Sequence, residues 1–186
     1  MSAGQSEKPM NHGEPRRDPD RPVTAMRPLF IRAARAEDQP TIRAMVRAAH
    51  LHPLALDWPR FIVAEEHGQI VAIGQIKLLG DGTRELASIV TAPTHRGLGI
   101  GATIVRTLQA ADPAPLFLRC ATHNVGFYAR LGFVELTPDA MPHDLRRTYL
   151  IVSRVARLIN AVTGGQETMH IMGCNLPAPS PVAATK

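Results

Sequence analysis

Cysteine is scarce in this chain: its 186 residues contain two, Cys120 and Cys174. That is too few for a disulfide framework, and the pair lacks metal-site spacing, so reduced thiols are expected. Aromatic residues make up 4%, too sparse for a platform on which nucleic-acid bases stack. No run of about 18 apolar residues occurs, so no helix is expected to span or bind a membrane. Met1 to Asp20 lacks an apolar core segment, which argues against a secretory signal and for a cytoplasmic location. The formal net charge is +5, yet the basic residues are not gathered in one block. They are scattered over Arg32, Arg35, Arg43 and Arg47, and again over Arg146, Arg147, Arg154 and Arg157. That scatter fits solvated helix faces better than a nucleic-acid surface. His50 and His52 lack a third ligand, and no metal site is expected.

What is present divides into four segments. Residues 1–26 are rich in Pro, Gly and charge without periodicity and read as a disordered arm, and 177–186 read as a flexible tail. Between them lie a core at 27–140 and, at 141–176, a C-terminal helix with a docked extension. "LFIRA" reads as a first strand. Ile42, Met45, Val46 and Ala49 then follow the helical spacing i, i+3, i+4, i+7. "RFIVAEEHGQIVAIGQIKLLGDGTRELASIVTA" holds three β-branched apolar runs separated by hairpin punctuation, an antiparallel meander. "PLFLRC", after a further helix, suggests a parallel crossover. Leu145, Tyr149, Val152, Val155, Ile159 and Val162 repeat at three and four residues, so an amphipathic helix is expected from His143 to Val162. It would cover the sheet, with a homodimer seam as the alternative. "ETMHIMGCNL" reads as an extended segment docked on the core.

"TAPTHRGLGIGATIVRTL" carries the chemistry. Gly97, Gly99 and Gly101 are crowded into five residues at the start of a helix, where each costs about 0.5–1 kcal/mol relative to alanine. A helix N-terminus leaves about four N–H groups unpartnered and carries roughly half a positive charge, so bare backbone there makes an anion cradle that suits a pyrophosphate. Arg96 would add a charge-assisted donor or brace the turn. A Walker loop fails because no lysine follows the glycines. Gly97, Gly99 and Ala102 fit a dinucleotide fingerprint, but a meander precedes them and the acidic residue expected downstream is absent, which disfavours a nicotinamide oxidoreductase.

The stretch "RGLGIG", Arg96 through Leu98 and Ile100 to Gly101, resembles the [QR]xxGx[GA] acyl-coenzyme A loop of the GNAT N-acyltransferases. "ELASIVTAP" before it and "FYARLGF" after it strengthen the resemblance, which covers about Leu29 to Leu136. It implies an α/β fold with a mixed, mostly antiparallel central sheet flanked by helices, to which this chain adds its C-terminal amphipathic helix. It also implies an acetyl-coenzyme A-dependent N-acetyltransferase without a metal. The acetyl group would pass to a primary amine directly in a ternary complex, the acceptor being a small metabolite or amino acid. A non-catalytic acyl-coenzyme A sensor and a protein lysine or N-terminal acetyltransferase are the alternatives.

The same resemblance assigns roles. Ile89, Val90 and Thr91 would line the pantetheine and offer a backbone donor to the thioester oxygen. Glu85, eleven residues before Arg96, would be the general base, and Tyr128 would protonate the departing thiolate. Glu85, Ile89 and Thr91 share strand parity and should project to one side, with Glu85 about 13 Å before Ile89, a distance that favours a water relay. The family's cofactor-contacting asparagine falls on Ala121 here. Asn124 stands in as a candidate contact, and it also reads as a helix cap. The acceptor region, "AAHLHPLALDWPRF", offers His50, His52, Asp57 and Trp58, and Glu65 and Glu66 lie at the next turn.

Overall fold

A computed structural model describes residues 29–51, 55–151, 153 and 168–176. The arm, the tail and most of the second half of the helix expected from His143 to Val162 lie outside the described residues. Strand β1 (Leu29–Ala33) leads into helix α1 (Gln39–Ala48), which begins with Pro40 in its first turn and buries Ile42 and Val46. Proline is tolerated there because the first-turn N–H has no intrahelical partner to lose. Asp38, just before α1, is 5% exposed. It accepts hydrogen bonds from the Arg32 guanidinium at 2.6 and 3.2 Å and from the Arg35 N–H at 2.7 Å. The Arg32 bond holds the Asp38 carboxyl below the usual carboxylate range.

The meander forms as expected: β2 (Phe61–Glu66), β3 (Gln69–Leu78) and β4 (Arg84–Thr91), antiparallel throughout. Helix α2 (Ile100–Ala110) crosses to β5 (Leu116–Ala121), which pairs parallel with β4. A short helix α3 (Val125–Ala129) and β6 (Val134–Glu135) follow, and residues 143–151 form helix α4. The segment expected merely to dock is a strand, β7 (Met169–Cys174), and it inserts between β5 and β6, so the sheet order is β1-β2-β3-β4-β5-β7-β6. Its alternating residues bond to both neighbours, which a sequence pattern six residues long does not announce. Among the described residues no helix is long and apolar enough to cross a membrane.

Helices cover both faces. On one, α2 packs Ile104, Val105 and Leu108 against Leu86, Leu118 and Ala72. The approach is so close that a Cβ on Gly74 would lie 2.5 Å from Ile104 Cγ2. On the other, α1 sets Ile42 and Val46 over Val63, Ile73 and Val90, and further along Leu145 of α4 joins Phe117, Met141 and Ile171.

Two irregularities in β4 shape the site. Ile73 pairs with Val90 and Gln75 with Ala87, so two steps on β3 match three on β4. The extra residue is a bulge, and Ser88 within it has φ +55°. The bulge corrects the expected parity: it flips the alternation, so Ile89 packs with the α2 cluster while Glu85 shares the opposite face with Gln75 and Val90. The second irregularity is that β4 and β5 pair only at Glu85 with Phe117 and at Leu86 with Leu118. Beyond those residues the two strands run on without pairing, and the sheet opens.

Candidate functional site

The opening between β4 and β5 leads into a pocket of about 690 Å³ bounded by the end of β4, the loop before α2, α2 itself and α3. Ile89, Val90 and Thr91 line it from β4, as does Arg96 from the loop. Gly97, Gly99, Ile100 and Gly101 line it at the start of α2, and Asn124 and Tyr128 from the far side. The structure therefore brings together ten of the twelve residues singled out from the sequence. The exceptions are Leu98, which is 68% exposed, and Glu85.

Gly97 and Gly99 adopt φ +78° and +79°, in the left-handed region that L side chains rarely occupy. A Cβ at either position would meet no atom within 4 Å. Packing therefore does not demand these glycines; the turn does, and it leaves open space where a ligand could approach the main chain. The turn is held from behind. His95 Nε2 lies 2.9 Å from Glu66 Oε2 and its Nδ1 lies 2.8 Å from Thr94 Oγ1, while Arg96 Nε donates to the Thr91 carbonyl at 3.3 Å.

Arg106 of α2 and Arg130, just after α3, also line the pocket. Neither pairs with a carboxylate among the described residues, whereas Arg32, Arg84 and Arg119 all do. Their signal was present in the sequence but indistinct. Arg106 lies six residues into the helix that the glycines start and Arg130 two after Tyr128, and among 21 Lys and Arg only tertiary structure tells an unpaired cation from a paired one. With Arg96 they make three cationic side chains in the pocket lining, fit for a phosphorylated ligand.

Asn124 occupies the N-cap position of α3 without a side-chain cap bond. Its Nδ2 lies 3.1 Å from His123 Nε2, and its side chain faces the pocket. The Tyr128 ring packs edge-on against Phe127 and Phe133, with centroids at 4.9 and 5.9 Å. Burial pushes the phenol pKa up to about 12, so it keeps its proton through the neutral range. Cys120 is buried, and burial raises its thiol pKa as well, which suits packing rather than nucleophilic attack.

Glu85 is not the solvent-facing strand-end residue its polarity would suggest. It is 3% exposed, and both its oxygens are taken by one guanidinium: Arg119 donates Nε at 2.6 Å and Nη2 at 2.9 Å. Sequence reasoning missed Arg119 because the two residues are 34 apart and meet only through the β4–β5 pairing. On the acceptor side, Glu66 is joined to His95 and Glu65 accepts a hydrogen bond from Arg32 Nε at 2.7 Å, so neither stands as an isolated acidic group. His50 and Asp57 line a separate hollow beside α1, and His52 lies outside the described residues.

Residues 57–135 match the family model described as "Acetyltransferase (GNAT) domain". No curated protein matches the chain. Among solved structures, N-acetylglutamate synthase from Neisseria gonorrhoeae superposes with a TM-score of 0.60 at 21% identity over 78% of this chain. The match takes in 34% of the synthase, so this chain spans about a third of its length. Rv2747 from Mycobacterium tuberculosis gives 0.60 at 24%, over 80% of this chain and 99% of that one. The ribosomal-protein-S18-alanine N-acetyltransferase from Escherichia coli gives 0.56 at 19%, over 83% and 98%. Identities this low establish the shared fold.

Proposed function

We propose, from the GNAT acetyltransferase domain that residues 57–135 carry, that this chain transfers an acetyl group from acetyl-coenzyme A directly to a primary amine in a ternary complex. The acceptor is a small metabolite or amino acid, no metal takes part, and the reaction is cytoplasmic. The observation that carries this reading is a single pocket lined together by the left-handed glycines, arginines without carboxylate partners and Tyr128, beside strands β4 and β5 that pair only at Glu85 and Leu86. The gonococcal and mycobacterial structures are described as complexes with coenzyme A, which supports the same ligand here.

The residues fit that ligand. Backbone N–H groups of the α2 N-terminus, with Arg96, hold the pyrophosphate, and the edges of Ile89, Val90 and Thr91 guide the pantetheine through the gap between β4 and β5. Bound there, the thioester supplies the acetyl group. A backbone N–H at the end of β4 stabilises the oxyanion, worth about 3–4 kcal/mol in comparable sites. Tyr128 Oη donates its proton to the departing sulfur. A phenol near 12 is a weak acid toward a free thiolate of about 8.5. In the same dry pocket, however, desolvation raises the thiolate's basicity too, and the transfer is completed as charge develops.

A primary amine of pKa about 10.4 is neutral in roughly one molecule in a thousand at neutral pH. Glu85, through water, is the proton acceptor. Arg119 fixes its carboxylate without filling all of its roughly four lone-pair positions. A non-catalytic coenzyme-binding module is the reading that this double engagement of Glu85 would favour instead.

Thiol release from acetyl-coenzyme A across an amine panel separates the two. Turnover that falls in Tyr128→Phe and Glu85→Gln supports the assigned roles, and equal rates in all three proteins remove them. Calorimetry with acetyl-coenzyme A against NADPH tests the ligand itself, and tighter binding of NADPH overturns the assignment.

A further inference from the structure

The coenzyme pocket accounts for one side of the sheet and for the gap in it. The other side carries a polar patch that this pocket leaves unused. Between α1 and α4 the sheet presents Gln75 and Lys77 from β3, Glu85 from β4 and Arg119 from β5 on one face, set between the apolar cluster under α1 and the one under α4. Gln75 is fully buried. Its Nε2 donates to Ser88 Oγ at 3.0 Å, and its Oε1 is buried with no hydrogen-bond partner. A buried acceptor left unpartnered is costly, and a ligand donor that reached it would remove that cost. This one lies on the face where the bulge turns Val90, the residue that the patch shares with the coenzyme pocket.

Beside the patch is a hollow of about 380 Å³, walled by Leu79, Leu145 and Ile151 and lined by two guanidiniums from different elements, Arg119 and Arg147. Arg119 uses Nε and Nη2 on Glu85, and a guanidinium carries five N–H donors, so others remain. Arg147 makes no ion pair among the described residues. The one carboxylate in the lining, Asp144, is engaged: its Oδ2 accepts the Asp81 N–H at 3.1 Å and its Oδ1 lies 3.3 Å from His143 Nδ1. The lining thus carries two guanidiniums against one carboxylate, with spare donors on Arg119 and Arg147, and Arg119 links it through Glu85 to the patch that holds the uncapped Gln75 acceptor.

We infer that the acceptor is an amino carboxylate, its amine directed toward Gln75 Oε1 and Glu85 and its carboxylate held by Arg119 and Arg147. The inference rests on the acetyltransferase reading and sharpens it. Gln75 and Ile73, the partner of Val90, are two residues apart on β3, about 7 Å along a strand. Acceptors whose amine and carboxylate stand several atoms apart should therefore outpace glycine.

The test is thiol release with wild type and Arg147→Gln over α-amino acids, ω-amino acids from β-alanine to 6-aminohexanoate and short dipeptides, each beside its amide. Arg147 is on the exposed side of α4, so its replacement leaves the core intact, and acetyl-coenzyme A affinity serves as the check on folding. Wild type should prefer at least one class of acids to its amides by tenfold or more in kcat/KM, and the ratio should fall about tenfold in Arg147→Gln, chiefly through KM. Amides used as well as acids throughout the panel, or a ratio that Arg147→Gln does not move, would overturn the assignment.

If acetyl-coenzyme A binds but no amine is turned over, it is the acetyltransferase reading that fails. The hollow is then judged by calorimetry of N-acetyl-6-aminohexanoate against its amide on the coenzyme-bound protein. Preference for the acid sustains a carboxylate site, and equal affinity removes it.

Discussion

The two charged regions of this molecule are built on opposite plans. Around the pocket, Arg106 and Arg130 stand without carboxylate partners and Gly97 and Gly99 leave a turn of bare backbone, so positive charge is left over for a ligand. In the middle of the sheet, on the other face, Glu85 is buried and both its oxygens are taken by Arg119, whose side chain is 35% exposed. The first plan costs little stability. In the second, the Glu85 carboxylate leaves water and becomes a liability without its partner. On the proposed reading, surplus charge serves the ligand's phosphates and matched charge holds geometry.

The contrast makes quantitative expectations. The largest effect should come at the phenol in the pocket: Tyr128→Phe removes the proposed proton donor but not the ring, and kcat should fall about 100-fold or more. Its Kd for acetyl-coenzyme A, measured by calorimetry, should stay within about threefold. The matched pair comes next. Arg119→Ala orphans the Glu85 carboxylate and should lower unfolding stability by about 3 kcal/mol in urea titration. Adding Glu85→Gln to it should recover part of that loss, since a neutral amide is less costly to bury unpaired than a carboxylate.

At the unmatched end, Gly99→Val forces a β-branched residue into a left-handed conformation at about 1–2 kcal/mol and fills the space over the turn. Acetyl-coenzyme A should bind about tenfold more weakly while urea unfolding stays cooperative. Unchanged affinity in a folded Gly99→Val protein would remove the anion cradle. Arg106→Gln and Arg130→Gln should each weaken binding by only about three- to tenfold, and each should flatten its salt dependence, because these charges stand partly in water.

The smallest effect is a pH signature. The Tyr128 pKa is raised by burial to about 12, so its contribution to stability is complete below about pH 10 and is lost as pH rises from there through 12. Phenolate absorbance of wild type minus that of Tyr128→Phe should titrate near 12. A midpoint near 10 would mean that the ring is not buried.

These two plans also differ in how far they could be read in advance. The meander, α1, α2 and the glycine turn follow from local rules. Alternation marks β2 to β4, helical spacing marks Ile100, Ile104 and Leu108, and glycine is the residue that accepts φ near +78° without strain. Ten of the twelve singled-out residues line the pocket because the loop and the two segments flanking it are each short, contiguous motifs. Leu98 falls outside because alternate residues of a turn face alternate directions. The parity argument for Glu85 failed at one residue: Ser88, with φ +55°, inserts a bulge that neither β-propensity nor spacing declares. β7 was legible as an apolar segment but not as a strand between β5 and β6, since its partners are 35 or more residues away.

The sequence alone determined that backbone at one helix start would be left bare of side chains, because conformational preference is a property of each residue and its immediate neighbours. It also determined the strand and helix periods that carry that turn. Tertiary structure decided which of many arginines remain unpaired, that Glu85 faces away from Ile89, and that Gln75, Glu85 and Arg119 share one surface. Those facts depend on register between strands distant in the chain, and a single inserted residue in one strand exchanges its two faces.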